Sequence, residues 1–297
     1  MRKVLIIGPT GQLGADLVRV FREKDGYEVI PVDRSEMDLR GRNSVLGTLD
    51  RHQPDIVINT AGQTDVDGCE SDASYAMQLN ANGAGYVASA CSRAGAVCVY
   101  ISSDYVFDGK KGKPYVETDE TRPLNTYGIS KLEGERLVRS KADRHLIIRT
   151  SGLFGFGQRA KRGQNFVEAM IRLAEGGKRL SIVQDQILSP TYTFDLASKI
   201  AELIEGDSNG TYHITNSGEC SWYRFAVSVF DAAGLSPEIV PVTSEEYGAS
   251  AERPRHSVLD NSKLERVGIG KLRHWEEALR EYISIRKKYS GPGRLVR

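Results

Sequence analysis

A tyrosine and a lysine four residues apart are the side chains of this chain with the clearest chemical use. Tyr127 and Lys131 lie in the segment Y-G-I-S-K, and on a helix this spacing places them on one face, one turn apart. A lysine held there, near an oxidised nicotinamide ring, stabilises a phenolate and lowers the tyrosine pKa from its usual value of about 10. Tyr127 is therefore a candidate proton donor or acceptor for an alcohol–ketone interconversion. The same spacing also occurs on ordinary surface helices.

A serine at the end of an apolar run is the third candidate catalytic residue. Residues 97–101 are apolar and typical of a buried strand, and Ser103 closes this segment. Its hydroxyl is predicted to share the substrate oxygen with the tyrosine. Residues 105–125 are rich in Gly, Lys, Pro and Asp, which predicts an exposed loop over the site.

Three glycines near the start of the chain predict a nucleotide site. Gly8, Gly11 and Gly14 follow the apolar residues 4–7 at three-residue intervals, and a strand, a glycine turn and a helix form the usual context of a phosphate site. We expect a tight turn at the first glycine, backbone approach to a pyrophosphate at the second and helix–strand packing at the third. The helix N-terminus would face the phosphates. A tight turn with no ligand is the alternative.

The end of the second predicted strand bears on the cofactor. Asp33 and Arg34 follow this strand. An acidic residue there favours the ribose hydroxyls of NAD, whereas an arginine accommodates the extra phosphate of NADP. Both NADH and NADPH therefore remain candidate cofactors, and a solvated loop charge is the alternative for Asp33.

Composition argues against several other kinds of protein. The chain has 297 residues with 40 basic and 39 acidic side chains, a net charge of +1, so no nucleic-acid partner is predicted. The basic cluster 159–162 is expected to be a solvated face. No apolar run approaches the ~20 residues of a membrane span, and no signal peptide precedes the first strand. We therefore predict no membrane partner and a cytoplasmic location. No metal site is predicted, since four cysteines lack metal-ligand spacing: Cys69, Cys91, Cys98 and Cys220.

Alternating apolar and helical stretches predict an α/β fold with a doubly wound parallel sheet. Residues 1–150 are expected to form a dinucleotide-binding domain, to which parts of 185–215 return, and residues 151–290 mainly a smaller α/β substrate-binding lobe. Residues 291–297 are expected to form a flexible tail. Helices are predicted at about 42–52, 71–94, 165–176, 192–206, 221–233 and 274–288. The long helix 71–94 carries Asn80, either at the surface or as a bridge to the catalytic strand.

Longer motifs extend these observations over almost the whole chain. They include G-P-T-G-Q-L-G, S-S-D-Y-V-F-D-G, P-L-N-T-Y-G-I-S-K, G-Q-N-F, V-Q-D-Q-I-L-S-P-T and R-P-R-H-S-V-L-D. Over residues 3–285 the chain resembles the extended short-chain dehydrogenases/reductases and, among them, the dTDP-4-dehydrorhamnose reductase family. The resemblance implies NADPH- or NADH-dependent reduction of the C4 ketone of a nucleotide-linked 6-deoxy-4-keto sugar. The conversion of dTDP-4-dehydro-L-rhamnose to dTDP-L-rhamnose is the reaction it favours most.

The resemblance also implies roles at matching positions. Tyr127 would protonate the C4 oxygen, Lys131 would bind the nicotinamide ribose, and Ser103 would hydrogen-bond the ketone oxygen. The implied cofactor contacts are Gly8, Gly11, Gln12 and Leu13 at the pyrophosphate, Asp38 and Leu39 at the adenine, and Ala61 and Gly62 on the ribose side. The implied substrate contacts are Asp104 and Tyr105 at the sugar, and Asn165 and Arg253 at the nucleotide or phosphates. For Asn165 and Arg253, the alternative is a structural role in holding their loops in place.

The same residues bear on related activities. Sugar-nucleotide dehydratases of this superfamily carry Asp-Glu after the catalytic hydroxyl residue, and here Tyr105 takes the place of that glutamate base. A nucleotide-sugar 4-epimerase needs only the tyrosine, the lysine and retained NAD. A non-catalytic NADP-binding regulator, resembling the β subunit of methionine adenosyltransferase, shares Y-I-S-S-D-Y-V-F-D-G and an R-P-R motif. Against the regulator, V-Q-D-Q-I-L-S-P-T and G-Q-N-F follow the reductase pattern.

Two departures from the family pattern concern the sugar pocket. The family usually has Trp after R-T-S, packing near the sugar, and this chain has Gly152 there. The usual A-A-Y or A-A-W is replaced by a segment that ends in Gln63. Both changes alter the predicted pocket, so a keto sugar other than dTDP-4-dehydro-L-rhamnose stays open as an alternative substrate. A homodimer is compatible with the sequence, but no feature of the sequence requires one.

Overall fold

Six parallel strands form the central sheet of the protein. A computed structural model describes residues 1–157, 165–177 and 179–289, so the basic cluster 159–162 and the tail 291–297 lie outside the described residues. In chain order the strands are β1 (Arg2–Ile7), β2 (Tyr27–Val32), β3 (Ile56–Asn59), β4 (Val97–Ser103), β5 (His145–Thr150) and β10 (Gly210–His213). Their order across the sheet is β2-β1-β3-β4-β5-β10. The order changes direction between β1 and β3, where the carboxyl ends of an open parallel sheet leave a ligand crevice.

Helices cover both faces of this sheet. In chain order they are α1 (Gln12–Arg22), α2 (Arg42–His52), α3 (Val66–Ser71), α4 (Ala73–Ala76), α5 (Gly83–Ala94), α6 (Thr126–Lys141), α7 (Phe166–Glu175), α8 (Thr193–Glu205), α9 (Trp222–Ala233), α10 (Ser244–Tyr247), α11 (Ser262–Arg266) and α12 (Trp275–Tyr289). A π-helix over Met77–Asn82 joins α4 to α5, and a 3₁₀ turn over Asp104–Val106 follows β4.

Alternating side chains of each strand enter opposite halves of the core. In β1, Val4 and Ile6 pack with α1 and α8, whereas Leu5 and Ile7 pack with α2 and α5. Burial on both faces explains why the strands of the sheet are nearly continuous apolar runs. The prediction of a doubly wound parallel sheet is confirmed.

A smaller group of elements lies beyond β5. Its short strands are β6 (Leu153–Phe154), β7 (Leu180–Val183), β8 (Ile187–Leu188), β9 (Thr191–Tyr192), β11 (Cys220–Ser221) and β12 (Ile239–Val242). They pair as β6 with β9, β7 with β12, and β8 with β11. An aromatic core that includes Phe154, Tyr192 and Phe225 holds this part together. β10 returns to the main sheet beside β5, and the division of the chain at residue 150 stays a prediction.

The prediction of one continuous helix over 71–94 is wrong. α3 ends at Ser71, Asp72 caps α4 by accepting from Tyr75 N at 2.9 Å, and the π-helix intervenes before α5. A short polar side chain that accepts a backbone N–H favours a new helix start over continuation. Within the described residues, none of the helices is both long and apolar enough to cross a membrane.

Candidate active site

One cavity of about 680 Å³ lies along the carboxyl edge of the sheet. Every predicted catalytic and cofactor-binding residue lines it, and so do Asp104, Tyr105 and Asn165. Arg253 is not among the described residues that line the cavity. The fold therefore brings together residues that the sequence separates by up to about half of its length.

The glycine turn forms the cofactor end of the cavity. Gly8 turns the chain after β1 with a φ of +81°, and α1 begins four residues later, at Gln12. A Cβ at Gly14 would lie 2.1 Å from the Gly8 carbonyl oxygen, so only glycine allows α1 to pack this closely. Gln12 Oε1 is buried and has no hydrogen-bond partner among the described residues. The N–H groups at this helix start suit the pyrophosphate of a dinucleotide, and the unpaired Gln12 carbonyl oxygen, an acceptor, suits a hydroxyl donor of such a ligand.

α6 carries the tyrosine and the lysine into the cavity within its first two turns. Asn125 caps this helix and donates from its own amide to the carbonyl oxygen of Glu252 at 2.7 Å. Tyr127 packs edge to face against Tyr105, with 5.7 Å between ring centroids. Ser103 ends β4, so its hydroxyl also lies at the carboxyl edge of the sheet.

The ammonium group of Lys131 is buried, and its surroundings change its pKa. Lys131 is 5% exposed, and its Nζ lies 4.3 Å from the centroid of the Tyr100 ring. Burial lowers the pKa of Lys131 to about 7, and the carboxylate of Glu135, one turn further along α6, opposes that shift. A lysine in such surroundings changes charge near neutral pH.

A buried ion pair underlies α6 and was not predicted from the sequence. Glu135 accepts hydrogen bonds from Arg149 Nε and Nη2, both at 2.8 Å, and from Ser102 Oγ at 2.6 Å. Burial raises the pKa of this carboxyl, but the guanidinium and hydroxyl partners outweigh burial and hold it below its usual range. The pair fixes α6 to β4 and β5. The four-residue spacing from Tyr127 through Lys131 to Glu135 is the signal that would have revealed it.

Asn80 is a bridge to the catalytic strand rather than a surface residue. It is 1% exposed, and its Nδ2 donates to Ser130 Oγ and to the Gln63 carbonyl, both at 2.9 Å. Its own carbonyl accepts from the Tyr100 hydroxyl at 2.8 Å. It thereby ties the π-helix to α6, to β4 and to the loop after β3.

The predicted adenosine contacts lie beyond the glycine turn. The Asp33 carboxylate accepts from Ser35 N at 2.8 Å and from Ser35 Oγ at 2.6 Å, and these bonds lower its pKa. Asp38 pairs with Arg40 at 2.6 Å, and the guanidinium holds the pKa of Asp38 well below its usual range. Arg34 and Arg40 both line the cavity, and the second arginine was not predicted.

The carboxylate of Asp104 is buried and is surrounded by serine hydroxyls, although the residue lines the cavity. Asp104 is 3% exposed and accepts from Ser103 Oγ at 2.9 Å, Ser151 Oγ at 2.8 Å and Ser257 Oγ at 2.6 Å. Burial raises its pKa, and the three hydroxyls oppose that shift. Its predicted contact with the sugar stays a prediction, as does that of Tyr105.

The two residues predicted near the nucleotide have partners within the protein. Asn165 caps α7 by accepting from Glu168 N at 2.7 Å, and its amide donates to the Gly155 carbonyl at 2.9 Å. Arg253 pairs with Asp67 at 2.6 Å, and this guanidinium holds the Asp67 pKa well below its usual range. Both side chains are thus hydrogen-bonded or ion-paired within the protein, and their ligand contacts stay predictions.

The position of the missing tryptophan is filled by another segment. Gly152 has a φ of +55°, and a Cβ there would lie 2.6 Å from Leu188 Cδ1. Leu188, Ile187 and Gln63 all line the cavity. Leu188 of β8 therefore packs directly against Gly152, and the altered sugar pocket stays a prediction.

Comparisons with known proteins show the family of the chain. The family model of the RmlD substrate binding domain matches residues 1–287. The spore coat polysaccharide biosynthesis protein SpsK of Bacillus subtilis is 46% identical over 96% of this chain and 98% of its own length. A dTDP-4-dehydrorhamnose reductase structure from Clostridium acetobutylicum superposes with a TM-score of 0.92 at 39% identity, covering 96% of this chain and 99% of that one.

A second solved dTDP-4-dehydrorhamnose reductase, from Bacillus anthracis, is a complex with NADP. It superposes with a TM-score of 0.90 at 37% identity and covers 96% of this chain and 100% of its own. The predicted family and enzyme class are confirmed. The chain belongs to the RmlD substrate binding domain family and is a nicotinamide-dependent oxidoreductase of the dTDP-4-dehydrorhamnose reductase type.

Proposed function

We propose that this protein reduces the C4 ketone of a dTDP-linked 6-deoxy-4-keto sugar, with dTDP-4-dehydro-L-rhamnose as substrate and dTDP-L-rhamnose as product. The observation that carries the proposal is the placement of Ser103, Tyr127 and Lys131 in one cavity with the glycine turn. Relatives named dTDP-4-dehydrorhamnose reductase support it, at 37% and 38% identity over 94% and 93% of this chain. When bound, NADPH or NADH supplies the hydride.

Tyr127 supplies the proton in this proposal. As the C4 oxygen gains negative charge, the phenol transfers its proton to that oxygen, and the carbonyl becomes a secondary alcohol. The ammonium of Lys131, one turn away, stabilises the phenolate that is left. Its attraction is strong because this part of the cavity is poorly solvated. The phenolate regains a proton from water after product release.

NADPH is the cofactor that we propose as preferred. Asp33 has two acceptor interactions with Ser35, whereas Arg34 and Arg40 bring two guanidinium groups to the same end of the cavity. Guanidinium groups suit phosphate because their donors are planar and paired. NADH binding would then depend on Asp33 exchanging its serine partner for the ribose hydroxyls.

The substrate is proposed to span the remainder of the cavity. Tyr105 and Asn165 line this end and are proposed to contact the sugar and the nucleotide. Arg253 is proposed to contact the diphosphate, for which its ion pair with Asp67 must break or its guanidinium must bind both groups.

We also propose that residues 151–290 act mainly as the lobe that encloses the sugar nucleotide. The enzyme is proposed to be cytoplasmic.

Turnover with a defined keto sugar tests the proposal. The oxidation of NADPH and of NADH is followed with dTDP-4-keto-6-deoxy-L-lyxo-hexose made in situ, with Tyr127→Phe as the control. We expect dTDP-L-rhamnose from the wild-type protein and a loss of about 10²–10⁴-fold in the variant. Turnover only with another keto sugar would point to specificity set at Gly152. Interconversion of sugar epimers without net cofactor oxidation would favour the epimerase. Cofactor binding with no turnover of any keto sugar would favour the regulator.

A further inference from the structure

Thr150 has a buried hydroxyl without a partner in the cavity, on the strand beside Ser103. The residue ends β5, is 4% exposed and lines the cavity. Its Oγ1 has no hydrogen-bond partner in the described part of the chain. Neighbouring hydroxyls at the same sheet edge all donate to carboxylates: Ser102 to Glu135, and Ser103 and Ser151 to Asp104. Because a buried hydroxyl left unpaired costs free energy, Thr150 is a candidate contact for a bound ligand.

The strand register places this hydroxyl on the α1 side of the sheet. Thr150 is directly opposite Ser103 in the β4–β5 pairing. Leu146 and Ile148 of β5 pack in the half of the core that contains α1, and alternation along the strand gives Thr150 the same orientation. Leu13, in the first turn of α1, lies in that half and also lines the cavity. Thr150 therefore faces the cavity from the side on which the glycine turn leads into α1.

The tyrosine and the lysine approach the cavity from the other side of the sheet. They lie on α6, whose Val138 packs with Ile147 of β5 in the opposite half of the core. A ligand group at the ends of β4 and β5 thus has the Thr150 hydroxyl on one side and Tyr127 and Lys131 on the other.

The nicotinamide ring is the ligand group that suits this position. The glycine turn follows β1, and β3 and β4 separate β1 from β5 in the sheet. A dinucleotide whose pyrophosphate lies at that turn must extend past β3 to bring its nicotinamide to Ser103 and Tyr127. The ring carries a carboxamide with one carbonyl acceptor and two N–H donors, and a threonine hydroxyl can donate to the carbonyl or accept from the N–H.

We propose that the Thr150 hydroxyl hydrogen-bonds the nicotinamide carboxamide and thereby fixes the rotation of the ring relative to the substrate. Thr150 is a positioning residue and takes no part in the proton transfer. The assignment concerns the cofactor and does not depend on which keto sugar is reduced.

A ligand that lacks the nicotinamide isolates this contact. Thr150→Val keeps the shape of the side chain and removes the hydroxyl, whereas Thr150→Ser keeps the hydroxyl. We expect Thr150→Val to bind NADPH about 3- to 10-fold more weakly, the effect of one neutral hydrogen bond, and to bind 2′-phospho-ADP-ribose as the wild type does. Thr150→Ser should retain most of the NADPH affinity. Calorimetric titration measures each dissociation constant without substrate, and NADH with ADP-ribose gives the same comparison.

Denaturant unfolding separates a ligand contact from a structural role. Because the Thr150 hydroxyl has no partner among the residues that the structure describes, Thr150→Val should leave the denaturant midpoint unchanged or raise it. Thr191 is the matched control, since it is fully buried and its hydroxyl donates to the Ser189 carbonyl at 3.1 Å. It is not among the described residues that line the cavity. Thr191→Val should lower the midpoint and leave the affinity for NADPH unchanged.

Two results would overturn the proposal. Equal losses of affinity for NADPH and 2′-phospho-ADP-ribose in Thr150→Val would show a general disturbance of the cofactor site. Unchanged affinity for NADPH would show that the hydroxyl does not contact the carboxamide, and a raised KM for the sugar nucleotide in the same variant would assign it to the substrate. The titrations need no keto sugar, so a failure of the proposed reductase function does not change their result.

Discussion

The two ends of the cavity are built in different ways. At the cofactor end, backbone groups at strand ends and a helix start define the surface, and Gly14 fits directly against Gly8. At the other end, which we propose to bind the sugar nucleotide and call the sugar end, side chains from distant segments pair with each other, as Ser257 does with Asp104. Arg253, which is not among the lining residues, pairs with Asp67 in the same way. The fold itself fixes the first surface, whereas the second consists of contacts that a ligand must share or replace.

Substitution at the glycine turn should have the largest effect, because no side chain can adapt there. Gly14→Ala would place a Cβ 2.1 Å from the Gly8 carbonyl oxygen. We expect a loss of about 3 kcal/mol or more in the free energy of unfolding and at least about 100-fold weaker NADPH binding. Denaturant unfolding and fluorescence titration measure both.

A matched glycine serves as the control for this prediction. Gly47 lies on α2 with no atom within 4 Å of an added Cβ. Gly47→Ala should stabilise the protein by about 0.5–1 kcal/mol and leave the affinity for NADPH unchanged. If Gly14→Ala and Gly47→Ala had the same effects on stability and NADPH affinity, the glycine turn would accommodate an added side chain, contrary to our inference.

The sequence predicted the packing at the glycine turn and on α6 far better than the contacts at the opposite end of the cavity, for the same physical reason. Gly8, Gly14, Tyr127 and Lys131 act through local spacing, which a strand–turn–helix or one helix turn converts directly into geometry. The contact of Leu188 with Gly152, and the pairing of Arg253 with Asp67, join segments far apart in the chain. No local pattern encodes such contacts.

A substitution at the sugar end should have a smaller effect that is confined to the substrate. Gly152→Ala forces an L-residue to a φ of +55° and brings its Cβ 2.6 Å from Leu188 Cδ1. We expect a cost of about 1–2 kcal/mol and a higher KM for the sugar nucleotide, with NADPH affinity unchanged. Adding Leu188→Ala should recover part of the loss. A loss of NADPH binding in Gly152→Ala would show that the two ends are not independent.

The pH dependence of kcat/KM for NADPH should distinguish the two ends of the cavity further. The Lys131 pKa is lowered to about 7 by burial, so its positive charge is present below that pH and is lost as the pH rises through it. The kcat/KM for NADPH, which reports the free enzyme, should therefore fall about tenfold per pH unit above this value. Glu135→Gln removes a carboxylate that raises the Lys131 pKa and should shift the decline to lower pH. A flat profile across neutral pH would contradict this assignment.

The smallest effect on stability is expected at Arg253. Its pair with Asp67 is partly exposed, with side-chain exposures of 19% and 43%, so Arg253→Ala should cost less than about 1 kcal/mol of unfolding free energy. We expect KM for the sugar nucleotide to rise about tenfold, equivalent to about 1.4 kcal/mol. Asp67→Asn should instead lower this KM, because it releases the guanidinium. An unchanged KM in both variants would show that Arg253 has a structural role and does not bind the substrate.

The most direct test of the account follows the hydride and the proton together. Wild-type protein and Tyr127→Phe are each given NADPH deuterated at the transferable position and dTDP-4-dehydro-L-rhamnose, and the sugar product is examined by NMR. We expect deuterium at C4 of dTDP-L-rhamnose with the wild-type protein, and almost no product from the variant although it binds NADPH normally. Deuterium absent from C4, or equal product from both proteins, would contradict reduction at C4 with Tyr127 as the proton donor.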